Sequence, residues 1–193
     1  QVDAEIIGSK SAMADVELLT MANQFLNDLG IINKTSLQLN TLGDDDSRSL
    51  WRTALIDYFS SYRDDLSEES KIRLVKNPLR ILDSKDEQDI AIVGNSPSID
   101  DYLNSKSSDF FEELINGLDN NGVKWVRNSR LVRGMDYYSD TAFEYVTDCL
   151  GAQGTVLAGG RYDGLISKIG GNDTPAVGWA GGIERLSMLL ECA

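Results

Sequence analysis

The sequence predicts an α+β fold: an antiparallel sheet flanked by helices, carrying a mostly helical insertion. Three observations predict it. The chain opens on a helix-strand unit, and residues 45–104 then show mostly helical patterning. From Val123 onward, β-rich runs at hairpin spacing alternate with glycine-bearing turns and end in a helix.

Taken in order, Val16, Leu19, Ala22, Leu26 and Leu29 recur at helical spacing over residues 12–29, and Gly30 is placed to cap that helix. Residues 35–42 alternate, with Leu37 and Leu39 on one face and Ser36, Gln38 and Asn40 on the other, the mark of a half-buried strand. Residues 43–46 read as a turn. A helix follows over 47–62, whose stripe of Leu50, Trp51, Ala54, Leu55, Tyr58, Phe59 and Tyr62 is read as core packing. A shorter helix over 67–76 stops at Asn77-Pro78, because a residue before proline avoids helical geometry. Ser84 and Glu87 have capping-box spacing ahead of a short helix through Ile90–Val93, and residues 99–103 give one more turn. Residues 107–120 form a helix burying Phe110, Phe111, Leu114 and Leu118. Strands are then expected over 123–126, 141–147, 155–158 and 176–180, with Gly159-Gly160 and Gly181-Gly182 as breaks, before a last helix over 183–191.

Composition narrows the function classes. Of 193 residues, 41% are hydrophobic and 25% charged, which supports a packed core rather than disorder. No run is apolar enough for a membrane span, and the N-terminus has neither a basic stretch nor a long apolar one, so neither membrane nor secretion is expected. There is no histidine, which removes the commonest general base and zinc ligand, and no metal ligand set is read from the sequence. Cys149 and Cys192 are read as free thiols of a cytoplasmic protein, and the Asn-x-Thr triplets at Asn33 and Asn172 as chance. A net charge of −13 argues against a broad basic face gripping nucleic acid, although a local basic patch remains compatible with it.

Three glycine-bearing segments carry the chemistry. Arg133-Gly134-Met135-Asp136-Tyr137-Tyr138 packs a cation, a carboxylate and two phenols into six residues; it reads either as a site or as a strand-entry turn with buried tyrosines. Ala158-Gly159-Gly160-Arg161-Tyr162-Asp163-Gly164 reads as a close-approach site or an ordinary glycine turn, and it is neither a Walker loop nor a dinucleotide fingerprint. Gly178-Trp179-Ala180-Gly181-Gly182-Ile183-Glu184-Arg185 runs from an apolar strand into a helix with Arg185 in its first turn. Helix N-terminus and cation together favour an anion, and a nucleoside triphosphate is the natural ligand class.

Together these segments resemble the histidyl-tRNA synthetases, a family of class II aminoacyl-tRNA synthetases. Residues 133–138 are similar to the first histidine-specific motif, 158–165 to the second and 178–186 to class II motif 3. Residues 1–8 resemble the returning strand of motif 2, and Asn77-Pro78-Leu79-Arg80-Ile81-Leu82-Asp83 resembles a segment of the family's inserted helical domain. The resemblance spans essentially the whole chain. It implies a partial class II core over residues 1–44 and 105–193, with a helical insertion domain over 45–104.

The activity implied is ATP-driven attachment of histidine to tRNA(His), through a histidyl-adenylate. Arg133 matches the position that stabilises the α-phosphoryl oxygens, and Arg185 the motif 3 arginine that stacks on adenine and reaches the phosphate tail. Glu5 and Tyr138 match the imidazole-reading positions, Tyr162 an aromatic closing the pocket and Gln1 the residue holding the α-amino group. Gly159 and Gly160 would let the substrate lie against the backbone. Asp136 is read as structural. Magnesium is expected with ATP, and a homodimer is expected of the full-length parent.

The resemblance also predicts departures. The chain lacks an initiator Met and starts inside motif 2, so an internal piece of a longer protein is expected. It would lack the motif 2 arginine, the dimer-forming motif 1, an upstream α-amino-binding segment and the anticodon-binding domain, and would be inactive alone. Trp179 and Gly181 stand where bulky or aliphatic residues are usual, and Gly181 is expected to loosen the strand end. Two other readings belong to the same resemblance. One is a regulatory paralogue (the regulatory subunit of ATP phosphoribosyltransferase) that binds histidine without adenylation; the other is a sensor domain for uncharged tRNA.

Overall fold

In a computed structural model, residues 1–133, 137–151 and 154–192 are described. Asp136, with Gly134 and Met135 of the first glycine-bearing segment, lies outside the described residues. The strands are β1 (Val2–Ile7), β2 (Ser36–Thr41), β3 (Val126–Arg127), β4 (Ser139–Val146), β5 (Thr155–Arg161) and β6 (Ala176–Gly181), in the order β1-β6-β5-β4-β2-β3. Every pairing is antiparallel except β2 with β3, which run parallel. The helices are α1 (Ala12–Asp28), α2 (Asp45–Ser61), α3 (Glu68–Lys76), α4 (Glu87–Val93), α5 (Ser105–Asn120), α6 (Leu165–Lys168) and α7 (Ile183–Glu191). Among the described residues no helix is long and apolar enough to cross a membrane.

The sheet has two chemically different faces, because directly paired residues share a side. On one face lie the rows Ala4-Trp179-Gly159-Phe143-Leu39 and Val2-Gly181-Leu157-Tyr145-Leu37. This face meets Val16, Leu19 and Leu26 of α1, Leu114 and Leu118 of α5, and Leu186 and Leu189 of α7 in one buried cluster. Burying a Leu or Phe here stabilises the fold by roughly 1.5–3 kcal/mol. α1 ends as its sequence dictates: Gly30, at φ +73, donates its N–H to Asn27 and Ile31 donates to Leu26, closing the helix.

A second apolar cluster gathers the intervening helices. Trp51, Leu55 and Phe59 of α2 are buried with Leu66, Ile81, Leu82, Val93 and Ile99, and meet the sheet side at Leu42, Val132 and Ala142. Two members of the expected stripe, Leu50 and Tyr62, are exposed, because α2 has a packing partner along one line only.

Several local expectations are corrected. α2 begins at Asp45, capped by the Asp44 carboxylate accepting from the Ser47 N–H. α4 is capped by Asp86 rather than Ser84. The Ser84 hydroxyl instead donates to buried Asp89, which also accepts from Ser67 and Ser70. These donors hold the Asp89 carboxyl below its usual range although burial works the other way. β3 lies at 126–127, and buried Val123 precedes it as core. Gly159 and Gly160 continue β5 rather than ending it, since flanking strands come too close there for side chains. Gly181 likewise stays in the ladder, paired with both Val2 and Leu157, so it does not loosen the strand end.

Candidate functional site

The opposite face of the sheet is open and built differently. Two rows cross it: Glu5-Gly178-Gly160-Ala142-Asn40 and Asp3-Ala180-Ala158-Glu144-Gln38. β5 and β6 therefore contribute only glycine or alanine at these positions, and β4 adds Ala142 beside Glu144. Small residues make a floor, and polar groups stand at its rims.

At one rim the Tyr162 hydroxyl donates to the Glu5 carboxylate. A Cβ on Gly178 would collide with that carboxylate, and one on Gly160 would sit 2.8 Å from the Tyr138 ring. The two glycines therefore make room for the two side chains above them. Tyr138 and Tyr162 meet edge to face, with centroids 6.4 Å apart. Burial, with the Tyr137 hydroxyl, pushes the Tyr138 phenol up to about 12. Burial, with the Glu5 carboxylate, raises Tyr162 as well, so both phenols remain hydroxyl donors.

At the other rim Arg133 pairs with Glu144 and lies 5.6 Å from the centroid of the Tyr138 ring. Glu144 also accepts from the Thr155 hydroxyl at 2.9 Å, and the Thr155 carbonyl accepts from Arg185 at 2.7 Å. Arg133 and Arg185, distant in sequence, are thus joined through two residues of β4 and β5.

The structure therefore brings Glu5, Tyr138, Tyr162, Gly160 and Arg133 around one floor and ties Arg185 to it. Gln1 is placed on the same face but apart, donating to Asp3 at 2.9 Å and standing about 13 Å along β1 from Glu5 at ~3.3 Å per residue. Gly159 sits on the other face, where its missing side chain lets the Gly178 carbonyl and the Trp179 backbone approach.

Sequence reasoning passed over five contributors. Gly178 was read as the start of the motif 3-like segment, and nothing local shows that Glu5 lies over it. Glu144 alternates between Phe143 and Tyr145, so its polar-face position was legible but its partners were not. Arg48 and Arg52 of α2, with Lys76 of α3 and Arg133, line a cleft of about 300 Å³ between the helices and Tyr138. Arg48 donates to the Tyr138 carbonyl and pairs with Asp45. In a chain of net charge −13, this is a local concentration of cations.

Beneath the floor, Arg161 points into the core and is fully buried. Its guanidinium pairs with Asp15 and Asp163 and donates to the carbonyls of Ser9 and Ser11, so each N–H has an acceptor. Thr141 completes the set by donating to Asp15. Against the cost of burial, the Asp15 carboxylate holds the guanidinium above its ordinary pKa. The adjacent residue, Tyr162, inherits its direction from this anchor.

Known proteins carry the same arrangement of sequence and fold. A family model described as histidyl-tRNA synthetase matches residues 104–186. The chain is 58% identical to a histidine–tRNA ligase of Novosphingobium aromaticivorans, over 98% of this chain and 46% of that protein. It spans about half the length of the curated relatives it matches. Among solved structures, apo histidyl-tRNA synthetase of S. aureus superposes with a TM-score of 0.78 at 30% identity, covering 98% of this chain and 46% of that one. A Bacillus halodurans structure described as an ATP phosphoribosyltransferase regulatory subunit/histidyl-tRNA synthetase has a TM-score of 0.60 at 21% identity, covering 98% and 52%, and shares the fold. Segments at both ends of the chain and the helical stretch between them are all within these matches, and the chain belongs to the histidyl-tRNA synthetase family.

Proposed function

We propose that this chain forms the histidine pocket and part of the ATP site of a histidine–tRNA ligase. Residues 1–44 and 105–193 serve as its catalytic core and 45–104 as an inserted helical module. The observation that carries the reading is the Glu5–Tyr162 pair on a glycine floor beside Tyr138, with Arg133 within reach of the same ring.

An imidazole needs partners for both ring nitrogens, and a site that supplies them rejects analogues lacking those groups, because its own polar atoms would be stranded. Glu5 accepts one ring N–H, and the Tyr138 and Tyr162 hydroxyls complete and close the pocket. Gly160 makes room for the Tyr138 ring at the edge of the pocket, while Gly159 lets β5 and β6 close up; Gln1, just before β1, would hold the α-amino group.

The substrate carboxylate then attacks the α-phosphate of ATP, and negative charge grows on the phosphoryl oxygens. Arg133, planar and always charged, stabilises that charge. Arg185 takes the adenine and the phosphate tail. The terminal ribose hydroxyl of tRNA(His) attacks the activated carbonyl in the second step. Among the described residues no group of three or more His, Cys, Asp or Glu side chains could hold a metal. Magnesium would therefore arrive with ATP, carried by phosphate oxygens and at most one or two carboxylates. The ligase would act as a homodimer in the cytosol, where its tRNA is.

The test is pyrophosphate exchange by the full-length parent. Exchange that requires histidine and ignores other amino acids supports the reading. Histidine binding without exchange would replace it with a regulatory role.

A further inference from the structure

Arg133 and Arg185 reach the open face from unrelated segments, one from the loop before β4 and the other from the first turn of α7. Neither segment can fix a long flexible cation by itself. What they share is Glu144, in the middle of β4 and paired with Ala158 and Gln38 on either side. Its neighbours on the floor are small, Ala142 and Ala158, which leaves the carboxylate free to turn along the sheet. One oxygen accepts from the Arg133 guanidinium and the other from the Thr155 hydroxyl. The Thr155 carbonyl in turn holds Arg185. Both members of the Arg133–Glu144 pair are about four-fifths buried, with side-chain exposures of 21% and 20%, so the pair is shielded from solvent far more than a surface salt bridge. The Arg133 Nε–H is buried and has no acceptor among the described residues.

We propose that Glu144 is a positioning residue: it fixes the Arg133 guanidinium, and through Thr155 the Arg185 guanidinium, in one frame, so that a single polyphosphate ligand meets both. The proposal rests on the function given above. β4 is paired on both sides, and a carboxylate with both oxygens engaged can rotate little. Aiming matters, because displacing a reacting group by about 1 Å can cost about 100-fold in rate.

The test is a double-mutant cycle in the full-length parent, read by histidine-dependent pyrophosphate exchange. Glu144→Gln keeps the shape and removes the charge. It should lower kcat about 30- to 100-fold and leave the histidine KM within about threefold, as expected when only the aim of Arg133 is lost. In an Arg133→Ala background the same change should cost less than about twofold, since there is nothing left to aim. Glu144→Asp, which keeps the charge, should recover part of the rate. Equal losses in both backgrounds, no loss in either, or recovery of Glu144→Gln by excess magnesium would overturn the proposal, the last by making Glu144 a metal ligand. A parent without any exchange would sink the proposed function instead. The anchoring would then be judged from the arginine side-chain NMR signals: two distinct Nη environments for Arg133 in the wild type, merging in Glu144→Gln, uphold it, and no change between the two overturns it.

Discussion

The Tyr162 hydroxyl donates to the Glu5 carboxylate directly over the Cα of Gly178, so that one glycine of β6 sets the height at which the pair can form. Replacing Gly178 with Ala puts a methyl group where the carboxylate now lies. The strand itself should tolerate the change, since alanine loses less conformational freedom than glycine. We expect histidine affinity of the parent to fall by about 10- to 100-fold, the worth of a hydrogen bond to a charged group. Titration calorimetry reads the affinity, and a melting temperature close to wild type separates the effect from misfolding. Unchanged histidine affinity would mean that Glu5 does not read the imidazole.

Much of this architecture was legible in the sequence, and the exceptions share a cause. The helical spacing of Val16, Leu19 and Leu26 and the alternation of Leu37 and Leu39 are local signals, and the elements they mark form as expected. Gly30 was legible because its left-handed φ is a local need. Gly159 and Gly160 were misread as breaks because their need is not local: a neighbouring strand or a Tyr138 ring removes the room for a side chain, while Gly181 stays in the ladder by pairing with both Val2 and Leu157. Ser84 had capping-box spacing, yet Asp89 competes for its hydroxyl from another turn. The site divides in the same way. The tyrosines and arginines sit in dense local segments, while Glu144 and Gly178 gain meaning only from what the sheet sets beside them.

Arg133 should matter to chemistry more than to binding. Its guanidinium stands beside the Tyr138 ring and pairs with Glu144, at the rim away from the Glu5–Tyr162 pair that would read the imidazole. Arg133→Ala in the parent should reduce the rate of adenylate formation about 100- to 1000-fold, the usual cost of deleting one preorganised charge stabiliser. Histidine affinity should change little. Single-turnover adenylation and equilibrium histidine binding are the two measurements, and equal losses in both would assign Arg133 to binding.

The Arg161–Asp15 pair should be a stability element with no room for a single truncation. Both side chains are fully buried. Asp15→Ala leaves a guanidinium that cannot lose its proton, opposite no full partner but Asp163, and should destabilise the fold by about 3–5 kcal/mol. Removing both charges, with Asp15→Leu and Arg161→Met, should be less damaging than Asp15→Ala alone, because the one carboxylate left without its partner, Asp163, is partly exposed rather than fully buried. Denaturant unfolding of the three proteins makes the comparison. A double variant weaker than the single one would show that the network contributes more than charge neutrality.

Asp140 should be a pH-dependent weak point. It is the residue at φ +43 where β4 begins, and it exchanges backbone hydrogen bonds with Leu42 and Gly43. Burial, with the neighbouring Asp163 carboxylate, pushes its carboxyl from 3.8 up to about 6, although Arg161 pulls the other way. The folded protein therefore holds this proton more tightly than the unfolded chain does. The stability so gained is complete below about pH 4 and is lost as pH rises through about 6, so at neutral pH the folded state carries a buried charge at a cost. Asp140→Asn removes the charge and keeps a side chain that tolerates left-handed backbone geometry. Discounted for partial exposure, the gain at pH 8 should be about 1 kcal/mol, fading towards zero near pH 4. Thermal denaturation of wild type and variant at pH 4, 6 and 8 follows it: a stabilisation that grows with pH supports the assignment, and one that is constant across the range, or a loss at pH 8, contradicts it.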